Sequence, residues 1–325
     1  MMKNNIIRNK DIVHMNSSAK ALLKIDEQYN TFEKIMSKLG LDVDFKQIMY
    51  LAKQKSEECK LTVEDIIYNI RFRPFFNDQD IPMGVIMVIR DITEREQLDN
   101  MRKEFVANVS HELKTPLTSI KGYSETMMMT EELPKDTLHE FVSVIYKEAS
   151  RMDKLVQDLL QLSKFDYGRA SLKKDNFTIS ELAKNVIAKM KFSAEQKEHT
   201  LTGHFGSGIK VYADKASIEQ VLVNIISNSI KYTPDGGKID LYIEEKEDSV
   251  EIREKDNGMG IPEKDLKRIF ERFYRVDKAR SRQMGGTGLG LSIVKEIVDN
   301  NDGKILIKSE VDKGTEIIIN LPKAK

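Results

Sequence analysis

Apolar positions recur every three or four residues between 94 and 168, and that period predicts two long helices. Leu98, Met101, Phe105, Val109, Leu113, Leu117 and Ile120 make the first stripe. After a break at Glu131-Glu132-Leu133-Pro134, Leu138, Phe141, Ile145, Met152, Leu155, Leu159 and Leu162 make the second, with Glu148 interrupting it. Two long helices joined by a short loop form an antiparallel hairpin. One hairpin cannot cover both stripes, so pairing of two copies into a four-helix bundle, a homodimer, is the economical solution. A helical arm packed against its own chain is the alternative.

The flanking regions carry other patterns. Residues 1–93 read as a small α+β unit. Ile6-Ile7 and Ile12 to Met15 flank the turn-prone Arg8 to Asp11 as a strand hairpin, and helical segments follow at Ala19 to Leu23 and Phe32 to Leu39, with Gly40 as a stop. The β-rich runs Ile66 to Phe76 and Gly84 to Arg90 are separated by Asn77 to Asp80. Residues 169–325 read as an α/β unit. Strands are expected at Lys210 to Ala213, Ile239 to Ile243, Ser249 to Ile252, Lys304 to Lys308 and Thr315 to Leu321. Helices are expected at Ile179 to Phe192, Lys215 to Tyr232 and Leu289 to Asn300, and turns at Asn301 to Gly303 and Asp312 to Gly314.

At 325 residues the chain is long enough for two or three domains, in keeping with these three regions. Lys plus Arg and Asp plus Glu each total 52, so no global attraction to nucleic acid is indicated. The single cysteine, Cys59, excludes an internal disulfide framework and fits a reducing compartment. No run approaches the length of a membrane span. The chain therefore reads as cytoplasmic, with any membrane anchor of the natural protein lying outside it.

Candidate chemistry begins at Ser110-His111-Glu112-Leu113-Lys114-Thr115-Pro116-Leu117. At about 100° per residue, His111 points away from the apolar face carrying Val109 and Leu113. Most such histidines are solvated surface, but this one has purposeful company. Glu112 can take a ring proton as a general base. Thr115, at i+4, shares the face of His111 and could orient a water. Pro116 removes the backbone donor to the Glu112 carbonyl and predicts a kink.

Four motifs follow in the last region. Asn224, Asn228, Lys231 and Tyr232 fall at i, i+4, i+7 and i+8, so two amides, an ammonium and a ring share one helical face able to address a metal, phosphates and a base. Asp256-Asn257-Gly258-Met259-Gly260 sets a carboxylate ahead of two glycines, suited to accept from the exocyclic amine of adenine. Ile269 to Asp277 alternates aromatics with Arg272 and Arg275, which can meet phosphate. Gly285-Gly286-Thr287-Gly288-Leu289-Gly290 is a glycine-rich loop running into a helix, suited to anionic oxygens and lacking the ending of a P-loop.

In this order the motifs resemble the N, F and two G boxes of bacterial sensor histidine kinases, with "SHELKTPL" as the H box; the likeness runs from about 94 to 325. Phrases such as "FVANVSHELKTPLTSIKGYSETM" and "GGTGLGLSIVKEIV" are most similar to kinases of the PhoR/WalK type, with PhoR slightly closer. The first region resembles a PAS sensor domain, including its "DITERE" ending.

The resemblance implies three domains, at 1–93, 94–168 and 169–325: a PAS-like unit, a dimeric helical hairpin and an ATP-binding α/β sandwich. It implies ATP-dependent phosphorylation of His111, with Glu112 as base, then transfer to an aspartate of a response regulator. Thr115 would help dephosphorylate that partner. Asn228 would hold Mg²⁺ with Asn224 nearby; Lys231 and Arg275 would meet phosphates; Tyr232 would lie against adenine, and Asp256 would read its amine. Gly258, Gly260, Gly286, Gly288 and Gly290, with Thr287 and Leu289 between them, would form the nucleotide-binding loops and lid. Mobile hinges are expected near Phe165 to Leu172. A clamp ATPase of the chaperone, topoisomerase and mismatch-repair kind is the alternative, but it would not need an exposed His-Glu pair.

Three departures from the family stand out. Ser229 replaces a usual alanine. Glu254 occupies a usually apolar strand position, which requires either a strand twisted open or a partly buried charge. Asn301-Asp302-Gly303 replaces a usual His-Gly-Gly turn.

Overall fold

The computed structural model describes residues 3–8, 10–23, 31–51, 55–130, 132–166, 172–277 and 286–324. The chain divides into two compact units, Met1–Glu104 and Phe105–Lys325.

In the first unit, β1 (Lys3–Arg8) and β2 (Asp11–Met15) form the expected hairpin, and β4 (Ile66–Phe76) and β5 (Pro82–Asp91) match the two β-rich runs. With β3 (Glu57–Val63) they make a five-stranded antiparallel sheet in the order β2-β1-β5-β4-β3. Tyr68, Ile70 and Phe72 alternate inward along β4 while Arg71 and Arg73 face out, as a half-buried strand requires. Helices α1 (Ser17–Leu23), α2 (Phe32–Leu39) and α3 (Phe45–Met49) lie between β2 and β3 in the chain. Phe32 of α2 meets Phe45 and Phe72 edge-on, with ring centroids 5.3 and 5.8 Å away, tying both helices to the sheet. Gly40 ends α2 in the left-handed conformation (φ 64°), which glycine adopts without strain.

Helices α4 (Thr93–Met129) and α5 (Lys135–Asp166) are the two predicted long helices, and α4 continues through Pro116. Tyr123 meets Phe141, and Glu112 meets Arg151, so numbers fall on one helix as they rise on the other: the pair is antiparallel. Apolar side chains on both helices remain uncovered in the single chain, including Leu117 of the first stripe and Leu160 beside the second, each more than half exposed.

The remainder is an α/β sandwich. Strands β7 (Thr200–Phe205), β9 (Lys238–Glu245), β10 (Ser249–Asp256), β11 (Lys304–Glu310) and β12 (Gly314–Pro322) form a mixed sheet in the order β11-β12-β10-β9-β7, with only β7 and β9 parallel. A two-stranded sheet joins β6 (Lys174–Thr178) to β8 (Lys210–Asp214). Helices α6 (Ile179–Glu195), α7 (Lys215–Tyr232) and α9 (Gly290–Asn300) supply most of the helical core, and α8 (Glu263–Leu266) is a single turn. Ile218, Leu222, Ile225 and Ile226 of α7 are fully buried, leaving a flanking face for Asn224, Asn228, Lys231 and Tyr232. Of the expected hinge, residues 167–171 lie outside the described residues.

Two departures from the family now have structural content. Strand β10 is not twisted open at Glu254, which pairs with Leu241 on one side and Ile317 on the other; the carboxyl is fully buried instead. Asn301 is fully buried as well. Its Oδ1 accepts the Asp214 amide (2.8 Å), and its Nδ2 donates to the Ile297 carbonyl (2.8 Å) and Ser217 Oγ (3.2 Å). This one amide ties the end of α9 to β8 and the first turn of α7. Asn301→Ala leaves buried groups unpaired, so a loss of about 2–4 kcal/mol is expected; urea unfolding of the variant against the parent chain checks it.

Candidate functional site

A cavity of about 300 Å³ opens at the end of the sandwich. Asn224, Asn228, Lys231 and Tyr232 all line it, as their shared helical face requires, and Ser227 and Ser229 join them from α7. Asp256, the last residue of β10, contributes its carboxyl, and Met259, Gly260 and Ile261 follow it around the rim. Arg275 and Tyr274 enter from the aromatic-arginine segment, and Gly286, Thr287, Gly288 and Gly290 from the glycine-rich loop. Residues 278–285, including Gly285 of that motif, lie outside the described residues.

Two of the expected nucleotide-binding residues do not line the cavity. Leu289 is fully buried in the core, where an apolar side chain following Gly288 (φ 73°) finds its burial. Its link to the loop is through the backbone, its amide donating to Thr287 Oγ1 at 3.3 Å. Gly258 acts on the site through its backbone: its amide donates to Asp256 Oδ1 at 2.7 Å. A Cβ there would lie 2.8 Å from both that oxygen and the Tyr232 carbonyl, so the position has no room for a side chain.

Asp256 is held by three donors. The Gly258 and Thr315 amides serve Oδ1 (2.7 and 3.2 Å), and Ser229 Oγ serves Oδ2 (3.1 Å). Burial pushes the carboxyl upward from its ordinary range, while these donors oppose the shift. Lys231 is shifted the other way. Burial first, then the positive charges of Arg275, Lys154, Arg151 and Lys197, lowers it to about 8. Such crowding of cations is what a polyanion would relieve.

His111 is exposed on α4 and is not among the residues lining the cavity. Its neighbour Glu112 turns inward. One carboxylate oxygen meets Arg275 at 3.0 Å and Arg151 at 3.2 Å, with all three side chains largely buried. The Thr115 hydroxyl donates to the His111 carbonyl at 3.2 Å.

The hairpin supplies site residues that the motifs do not include. Lys154 and Asp158 of α5 line the cavity, and Asp158 accepts from Thr287 Oγ1 at 3.2 Å. Burial raises the Asp158 carboxyl. Further along the same contact, Arg272 pairs with Asp166 (2.7 Å), and Gln161 and Gln220 exchange amide hydrogen bonds at 2.6 Å. The only local signal was a polar row at 151, 154 and 158 beside the apolar stripe, a pattern equally fitted to solvent.

Two family descriptions match the chain: the His Kinase A (phospho-acceptor) domain over residues 101–168, and the histidine kinase-, DNA gyrase B- and HSP90-like ATPase over 213–325. The Staphylococcus aureus sensor protein kinase WalK is 37% identical over 292 residues, covering 89% of this chain and 70% of that protein. The chain belongs to the sensor histidine kinases. The Bacillus subtilis sensor histidine kinase WalK is 39% identical over 319 residues, 97% of this chain, and the chain spans about half (52%) of that relative's length. Both relatives are WalK proteins, so the leaning towards PhoR finds no support in them. The crystal structure of histidine kinase ThkA in complex with response regulator protein TrrA aligns with this kinase chain at a TM-score of 0.57 and 25% identity, covering 99% of this chain and 96% of that one.

The titration of Lys231 gives this family member a measurable signature. Its folded pKa, about 8, lies below the ordinary lysine value, so between about 8 and 10.5 the unfolded chain holds more protons and stability rises with pH. An anion bound beside it stabilises the ammonium and reverses the shift. ADP binding near pH 8.5 is therefore expected to take up a proton, seen by calorimetry in buffers of different ionisation enthalpy. Lys231→Met should remove that uptake; an unchanged uptake would assign it elsewhere.

Proposed function

We propose that this chain is the signalling and catalytic part of a two-component sensor kinase: it transfers the γ-phosphoryl group of ATP to His111 and then to an aspartate of a response regulator. The observation that carries the reading is the Glu112–Arg275 contact, which joins the histidine-bearing helix to the cavity lined by the nucleotide motifs through a largely buried ion pair. A ring nitrogen of His111 attacks the γ-phosphorus, the bond to the β–γ bridging oxygen breaks, and Glu112 takes the ring proton. Lys231 and Arg275 stabilise the charge shifting onto the phosphates. Asp256 accepts from the amine of adenine, and Tyr232 lies against the base.

The donor set fits a magnesium nucleotide. Among the described residues there is no cluster of three or more His, Cys, Asp or Glu side chains able to hold a metal alone. Mg²⁺ does not require one, since it keeps waters and shares phosphate oxygens; the Asn228 amide oxygen, with Asn224 nearby, would be its protein ligand. When bound, it offsets phosphate charge.

The uncovered stripes of α4 and α5 support a homodimer through a four-helix bundle. The complex formed by ThkA with TrrA supports a response regulator as the next partner, and Thr115 gives the same site a route to removing phosphate from it. The antiparallel sheet with its intervening helices supports a PAS-like sensor unit at 1–93, ahead of the hairpin at 94–168 and the ATP-binding unit at 169–325. No described helix is long and apolar enough to cross a membrane. A clamp ATPase is the weaker reading, because it leaves the exposed histidine and its acid without work.

Incubation with γ-labelled ATP and Mg²⁺ is expected to give acid-labile, base-stable label on the protein that is absent from His111→Gln. Label surviving in that variant would sink the His111 assignment, and ATP turnover without label would favour the clamp ATPase. Asn228→Asp should abolish labelling; retained labelling would contradict its role at the metal.

A further inference from the structure

Glu254 sits on the inward face of β10, fully buried, and neither carboxyl oxygen has a hydrogen-bond partner. Its cross-strand neighbours are apolar: Leu241 of β9 and Ile317 of β12. From α7 the polar group beside it is Ser229, and two residues along its own strand face is Asp256, the one charged group among the described residues that acts on it. An ionised carboxylate in such a place has nothing to offset its lost hydration, so burial drives the group far towards its protonated form. A protonated carboxyl has one hydrogen to donate.

Ser229 already donates to Asp256 Oδ2 at 3.1 Å, and its oxygen retains lone pairs with which to accept. The two Asp256 oxygens are unequally held. Oδ1 has two backbone donors, which folding fixes, whereas the protein donor at Oδ2 is a hydroxyl free to rotate. A proton on Glu254 removes that freedom: facing a donor, the Ser229 hydroxyl must turn its own hydrogen towards Asp256.

We propose that Glu254 is a positioning residue of the nucleotide site: its carboxyl donates to Ser229 Oγ, Ser229 donates to Asp256 Oδ2, and this relay aims the remaining lone pairs of Asp256 at the exocyclic amine of a 6-aminopurine. The inference rests on the reading of Asp256 as the base-recognising group. Hydrogen bonds in such a chain polarise one another, so the relay also strengthens the grip on Asp256. Its effect is on base choice. An amine at position 6 donates to the aimed oxygen, whereas the oxo group of guanine presents a second acceptor and is repelled.

The test compares ADP and GDP binding by calorimetry in the full chain, for the parent protein and for Glu254→Gln, Glu254→Leu, Ser229→Ala and the Leu/Ala double variant. Thermal melts establish that each is folded. The carboxamide of Glu254→Gln keeps a donor and should retain the ADP preference. Glu254→Leu and Ser229→Ala should each reduce the ADP-to-GDP affinity ratio about tenfold, the scale of one lost charge-assisted hydrogen bond. The double variant should be no worse than either single one, because both break the same chain. Additive losses, a Gln variant as indiscriminate as the Leu variant, or equal weakening of both nucleotides would overturn the relay and leave Glu254 a packing residue. If the parent chain binds neither nucleotide, the nucleotide reading itself fails; that result differs from all three.

Discussion

The Asp214 carboxylate accepts the Ser217 amide at 2.8 Å, capping α7, while its backbone amide is held by the buried side chain of Asn301. That end of the helix is thus fixed to β8 and α9 together. Near the other end, Ser229 holds Asp256, and the Tyr232 carbonyl accepts the Met259 amide at 3.3 Å. Between these points the helix buries Ile218, Leu222, Ile225 and Ile226. A one-residue slip would rotate it by about 100° and carry Asn224, Asn228, Lys231 and Tyr232 away from the cavity. The polar face meets the cavity because the apolar face and both ends leave it one orientation.

Periodicity made most of this legible. The stripes on α4 and α5, the start and end of α7, and the late strands follow from spacing alone, because each element has one face to bury. Strands β3 and β7 were not legible. Cys59 and Leu61 are the only alternating apolar pair within β3 before its final valine, and Gly203 interrupts β7; both are placed by pairing with neighbours distant in sequence. Short α3 and β6 owe their existence to the same tertiary context.

The site divides along a similar line. Residues on one helix face or one turn could be grouped from sequence, and the cavity gathers Asn224, Asn228, Lys231, Tyr232 and Asp256 as grouped. Lys154, Asp158 and Arg151 could not be, since their meaning depends on contacts with residues on other elements, such as Thr287 with Asp158 and Glu112 with Arg151. The burial of the Leu289 side chain was hidden for the opposite reason. A glycine-rich run suggests uniform exposure to ligand, yet alternate backbone conformations within it turn one side chain into the core. At Glu254 the pattern left two outcomes open, and intact pairing on both edges of β10 selected the buried charge-bearing group.

The electrostatics connect the two halves of the catalytic unit. Lys231, Lys154, Arg151 and Arg275 concentrate positive charge around one cavity, and such crowding is unfavourable without an anion. In this arrangement the Glu112 carboxylate meets two of the four. One oxygen, Oε2, of the acid beside His111 is therefore engaged as a counter-ion. A triphosphate carries enough negative charge to meet those arginines itself, and in doing so competes directly with Glu112 for Arg275. On the proposed function, exchange of one anion for the other would release the carboxylate beside His111, the adjacent residue. On that reading, coupling of nucleotide arrival to base availability would need no long-range conformational signal, only the replacement of one ion pair by a stronger one.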